Sequence, residues 1–182
     1  MYSKYHKDVV GDFWRTVTVD IIRERLQMGY PLTRRDNHWN TPLYNAAMYT
    51  PNPDVIIELL KAGADINGLS NTGDVPLIGA AGHNKNPDIC KVLLENGANI
   101  ECRCWSGRTP LMCSVLWNHN PEVCKFLIGA GADVNAKDSL NSTPAMKADD
   151  WQRGDSIFDM LIKAGSRTDV IDLEGNTVKS KT

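Results

Sequence analysis

The residues of this 182-residue chain best able to do chemistry are four histidines and five cysteines. They could serve as acid–base groups, nucleophiles or metal ligands. His6, His38, His83 and His119 are scattered, and no Ser, Cys or carboxylate repeats beside them at a triad-like spacing. Cys102-Arg103-Cys104 invites zinc or thiol-redox chemistry. Structural zinc takes four ligands, usually in two pairs, yet the nearest further cysteine is Cys113, with no matching pair. Cys90 and Cys124 sit in apolar runs and read as core residues. Cys113 aligns with Asn45 and Gly79 in a tightly packed helix, and Cys102 shares its position with Gly68 and Ala136. No catalytic residue, metal ligand or cofactor-binding residue is assigned, and no cofactor is expected.

The elements that carry these residues repeat. Pro42, Pro76, Pro110 and Pro144 recur every 34 residues, and Gly29, Gly63, Gly97, Gly131 and Gly165 keep the same step. Two landmarks with one period mark a repeat architecture. Thr41-Pro42, Thr109-Pro110 and Thr143-Pro144 place a capping hydroxyl before a proline in the first helical turn; Val75-Pro76 keeps the proline and loses the cap. A short helix follows, with small pairs such as Ala46-Ala47 and Ala80-Ala81. Asn52-Pro53-Asp54, Asn86-Pro87-Asp88 and Asn120-Pro121-Glu122 then open a second helix with a cap, a proline and an acid at its positive end. Its apolar face, Val55, Ile56, Leu59 and Leu60 in one copy, has helical spacing. The glycine suits a left-handed position just past the helix, and an extended link leads into a turn such as Asn71-Thr72-Gly73-Asp74.

Helix, loop, helix, glycine and turn resemble the ankyrin repeat, whose T-P-L-H-x-A signature is close to TPLYNAA and TPLMCSV. The resemblance covers roughly residues 8 to 178. The usual ankyrin period is about 33; here one extra residue lies between the helices, where N-P-D/E stands in place of Gly-His, a variant that looks like bacterial ankyrin proteins. The resemblance implies an all-α solenoid of stacked helix-turn-helix units with projecting β-turn fingers. It divides into an N-terminal capping repeat (1–34), internal repeats (35–68, 69–102 and 103–136), a C-terminal capping repeat (137–170) and a tail (171–182) resembling the start of a further repeat. In the first unit Lys7-Asp8 replaces Thr-Pro and Thr18 opens the second helix. In the fifth, Ala148-Asp149 replaces the small pair and the second helix starts at Gly154-Asp155. Such departures suit end repeats with polar outer faces. Asp65, Asn99 and Asp133, with Asn67 and Asn135 two residues later, are expected to bond the link to the turn. Stacks of this family lack an enclosed pocket, which disfavours catalysis; no enzyme activity is expected.

A net charge of −2 and a pI of about 6.1 provide no concentrated basic face for nucleic acid. No apolar run reaches the roughly 18 residues of a membrane span, and MYSKYHKDVV lacks the apolar core of a signal peptide. Odd cysteine usage without a disulfide framework indicates a reduced, cytoplasmic setting, although a specialised export route would leave no trace.

The scaffold leaves other positions free. Seven residues after each proline stand Tyr49, His83, Trp117 and Trp151, a column of rings expected to form a ladder along one face. Met48 and Leu116 precede two of them. Arg35, Leu69, Arg103 and Lys137 enter the fingers; Asn37, Asn71, Trp105 and Ser139 sit near the tips; Asn40, Asp74 and Arg108 leave them. Trp39 occupies the position of turn glycines Gly73 and Gly107, which predicts a first finger of different shape. In ankyrin proteins partners usually meet the turn tips and the exposed side of the first helix, and Trp and Arg are enriched at binding hot spots. The expected function is protein binding on the concave finger and first-helix face, by a chain that is monomeric when free, with no nucleic acid or membrane partner. The alternatives are packing of the rings between helices and loops, a structural or regulatory segment of a larger polypeptide, and a bacterial effector or inhibitor that acts by binding.

Overall fold

A computed structural model describes residues 9–31, 34–118, 120–150 and 155–178. Among them the chain is entirely helical between its turns. First-position helices are α1 (Val9–Thr16), α3 (Pro42–Tyr49), α5 (Pro76–His83), α7 (Pro110–Trp117) and α9 (Pro144–Asp150). Second-position helices are α2 (Val19–Gln27), α4 (Pro53–Lys61), α6 (Pro87–Glu95), α8 (Pro121–Gly129) and α10 (Asp155–Lys163). Each row stacks along the molecule, α1 to α3 to α5 to α7 to α9 and α2 to α4 to α6 to α8 to α10. Lys7, Asp8 and Gly154 lie outside the described residues.

The helices begin where their caps predict. Thr41, Thr109 and Thr143 accept from the amides of Tyr44, Met112 and Met146 at 3.2, 3.3 and 3.4 Å. Val75 leaves α5 without a side-chain cap, and Thr18 opens α2 by accepting from Ile21. Asn52, Asn86 and Asn120 cap the second helices. Ala46, Ala47, Ala80 and Ala81 are fully buried, so neighbouring first helices approach closely. Val55, Ile56 and Leu59 face the core with Ile89, Leu93, Val123 and Leu127. A single unit could not bury such a face, which is why the units stack.

A second connection runs through the loops between paired helices. The Asn84 amide donates to the carbonyls of Ala47 and Thr50 at 2.9 and 2.8 Å. One period later Asn118 donates to Ala81 and Asn84 at 2.8 and 2.7 Å. Asn86 and Asn120 repeat the pattern toward Pro51 and Lys85. Asn84 and Asn118 are buried, so the third and fourth repeats are each tied to their predecessor through carbonyls that would otherwise be orphaned.

One junction is incompletely filled. Between α1, α2 and the start of α3 lies a half-open pocket of about 280 Å³.

Candidate protein-binding face

Each finger is built on an acceptor at one register position: Asp36, Ser70, Cys104, Asp138 and Asp172. Asp36 Oδ1 accepts from the amides of His38 and Asn40 at 2.8 and 2.9 Å, and Asp138 Oδ1 accepts from Leu140 and Ser142, both at 2.9 Å. Ser70 Oγ takes the amides of Thr72 and Asp74 at 3.2 and 3.0 Å. Asp172 holds the tail turn in the same way through Glu174 and Asn176. A backbone hydrogen-bond pair closes every turn, as Asp36 with Asn40 and Cys104 with Arg108. The first finger therefore keeps the common shape: Trp39 takes a φ of 62°, and Asn141 in the same position takes 64°. The expectation of a differently shaped first finger is corrected here, because the side-chain acceptor at Asp36 and the turn's own hydrogen bonds hold the tryptophan in a left-handed conformation.

The second group at each finger base comes from the first helix, nine residues on, and it varies. Asn45 Nδ2 donates to Asp36 Oδ2 at 2.7 Å, whereas Lys147 Nζ lies 3.1 Å from Asp138 Oδ2. Arg108 Nε stands 3.9 Å from the same oxygen, close enough for charge attraction and too far for a hydrogen bond. In the third finger the pair is Cys104 and Cys113. The Cys113 thiol, then the Ser106 hydroxyl and the turn amides, hold Cys104 down to about 5, against the opposing effect of burial, and Cys113 is raised in return. Cys104 is half-buried, with its sulfur 3.1 Å from the Ser106 hydroxyl. Burial pushes Cys90 and Cys102 up to about 12 and Cys124 up to about 11. Among the described residues no three His, Cys, Asp or Glu side chains gather as a metal site.

Between the fingers and the first helices lies an open groove of about 480 Å³. Asn40, Asn71 and Asp74 reach it from the fingers, and Met48, Tyr49, His83 and Trp117 from the helices. His83 and Trp117 stack with ring centroids 6.0 Å apart and planes 3° from parallel. Water lost from the covered face of His83 lowers its pKa, against the opposing pull of Asp74. Arg108 lies over Trp117 at 5.5 Å, and Arg15 lies over Tyr49 at 5.4 Å. Burial raises the Asp74 carboxyl, partly offset by the Thr72 hydroxyl that donates to it. The groove thus offers π-faces and a carboxylate around one concavity, with Arg15 and Arg108 held against two of its rings.

Residues 43–138 match the family described as Ankyrin repeats (3 copies). The chain belongs to the ankyrin-repeat family. Ankyrin repeats are in general protein–protein interaction modules, on a fold that is not catalytic. A comparison with curated proteins gave no match. Among the described residues no helix is long and apolar enough to cross a membrane.

Within this ankyrin face the sequence-derived residues divide. Asn37, Leu69, Asn71, Trp105, Lys137 and Ser139 are exposed on the fingers. Arg35 and Arg103 are committed: Arg35 donates to the carbonyls of Trp39 and Leu69, and Arg103 to those of Gly107 and Lys137, each bracing one finger to the next. Leu69 stands in the same register and has no such donor; there Trp105 lies across Gly73, filling the space a side chain would need. Leu116 is a correction, since it is only 2% exposed and faces the junction; Gly82 in the same position is buried under Trp117, while Met48 lies against Gly79 and still borders the groove. Among the described residues the expected ring ladder comes down to the His83–Trp117 stack, and Arg15 lies over Tyr49. Trp151, His6 and His119 lie outside the described residues. The buried Asn84–Asn118 connection was missed. Its signal was present as two asparagines 34 residues apart, but it was masked by the capping asparagines two residues later.

Proposed function

We propose that this ankyrin chain is a protein-binding module that recognises one partner on its finger and first-helix face, without a chemical step. The module consists of five repeats, with 1–34 and 137–170 as caps. The supporting observation is convergence: finger residues Asn40, Asn71 and Asp74 and helix residues Tyr49, His83 and Trp117 border one groove. Trp105, 87% exposed on the neighbouring finger, extends the apolar contact surface. Recognition uses a largely preformed surface, since the fingers are braced by Arg35 and Arg103. The partner is a protein, met in the cytoplasm by a monomer.

The test is affinity capture with the wild-type chain, identification of the captured protein, and titration of that purified partner against His83→Ala/Trp105→Ala. The double variant is expected to weaken binding at least about 100-fold, the effect of two hot-spot side chains, with its unfolding transition nearly unchanged. Undiminished binding by the variant would remove this face from the interaction. A regulatory segment of a larger polypeptide, or an inhibitor acting by binding, would use the same surface.

A further inference from the structure

The groove between the fingers and the first helices continues toward the loops. There a second open concavity, of about 940 Å³, shares Met48, Tyr49 and His83 with the first. The two sides carry opposite charge. Among the described residues lining the finger side, Asp74 is the one carboxylate and there is no Lys or Arg. Among those lining the loop side, Arg15 and Lys85 are the charged groups and there is no carboxylate. The rings of Tyr49 and His83 stand between the two.

Neither Asp74 nor Lys85 is spent on the scaffold. Asp74 is half-buried; it takes the Thr72 hydroxyl at 2.7 Å, and no Lys or Arg pairs with it among the described residues. Lys85 is exposed, and its ammonium likewise has no ion-pair partner among them. Arg15 is less available, since Asp12 holds it at 2.9 Å and it lies over Tyr49. The repeat does not need these charges. Asp74 shares its position with Asn40, Arg108 and Ser142, and Lys85 shares its own with Pro51 and His119. The acid and the base thus stand together in one repeat, at the two ends of α5. The eight residues of that helix span about 12 Å, so the charges lie roughly 15 Å apart.

We propose that the groove takes an extended segment of the partner protein that crosses the repeats from finger to loop. The segment carries a Lys or Arg for Asp74, an Asp or Glu for Lys85, and an apolar or aromatic residue between them on Met48 and His83. This inference rests on the protein-binding reading and adds the chemistry of what is bound. At about 3.3 Å per residue an extended chain covers roughly 15 Å in four or five residues, which sets the spacing of its two charges. A cation arriving at Asp74 meets a carboxylate partly shut off from water, where a charged hydrogen bond is worth more than on open surface. The exposed Lys85 contributes less affinity and fixes the orientation. A segment of one charge sign meets repulsion at one end of the groove, so the polarity also rejects wrong partners.

The probe is a phage-displayed library of random peptides about twelve residues long, selected on the full chain. Enriched peptides are expected to carry a Lys or Arg and an Asp or Glu four or five residues apart, with an apolar or aromatic residue between. A synthetic peptide of such a sequence should bind Asp74→Asn about tenfold or more weakly, and Lys85→Ala about two- to fivefold more weakly. Both variants should unfold at nearly the wild-type midpoint. No enrichment, enriched peptides without the opposite-charge pair, or undiminished binding to Asp74→Asn each overturns the proposal. If a variant fails to fold, the pattern of the enriched peptides still decides. A captured protein that loses affinity for His83→Ala/Trp105→Ala but not for Asp74→Asn/Lys85→Ala would overturn this inference and leave the protein-binding reading standing.

Discussion

The two edges of each repeat solve the same problem differently. At the loop edge, Asn84 and Asn118 tie repeat to repeat by identical bonds to two carbonyls. At the finger base the corresponding pair changes at every step: Asp36 with Asn45, Ser70 with Gly79, Cys104 with Cys113, Asp138 with Lys147. Uniform chemistry suits an edge whose one task is to continue the stack. The finger edge keeps only its backbone turn constant, so the side chains beside it are free to differ. Variation within one sequence thus separates scaffold from the surface available for recognition.

The sharpest way to break this comparison is at Asp138. Its side chain is 1% exposed and serves both Lys147 and Arg108. Asp138→Asn keeps the turn acceptor but strands two cations, and removal of one partner from a buried pair costs about 3–5 kcal/mol. Urea unfolding should show that loss. A change below about 1 kcal/mol would mean that the finger base, too, is merely interchangeable scaffold. The loop edge ranks next. Asn118→Ala removes two donors and leaves the carbonyls of Ala81 and Asn84 unsatisfied, a loss of about 2–3 kcal/mol at the usual value of buried hydrogen bonds. If the denaturant midpoint hardly moves, water has entered the loop and the uniform edge carries little of the stability.

The legibility of the chain follows the same division. Threonine and asparagine caps, prolines at helix starts and the buried Leu/Ile/Val faces were readable because each acts within a few residues of its partner. The link residues were read less well: Asp65, Asn99 and Asp133 accept from the amides two residues on at 2.8–2.9 Å, bonds that lie within the link and do not run to the finger turn as expected. The groove's members Tyr49, His83 and Trp117 could be chosen by register alone. What register could not reveal was the direction of a side chain across a junction. Leu116 lies one residue from Trp117 and is buried, and the committed hydrogen bonds of Arg35 and Arg103 depend on the position of the next finger.

The smallest expected effect sharpens the comparison most. Trp39 is 70% exposed with a φ of 62°, in the position held by Gly73, Gly107 and Gly175. A side chain in this conformation costs about 1–2 kcal/mol, while glycine gives back about 0.5–1 kcal/mol through the entropy of the unfolded chain. Trp39→Gly should therefore stabilise the protein by about 0.5–1 kcal/mol in urea unfolding. A loss of stability would show that the indole packs against the finger and belongs to the scaffold. A gain, accompanied by weaker binding of the captured partner, would show a ring kept at the finger edge against the preference of its own backbone. The stack itself gains nothing from such a ring, so its use would lie in recognition.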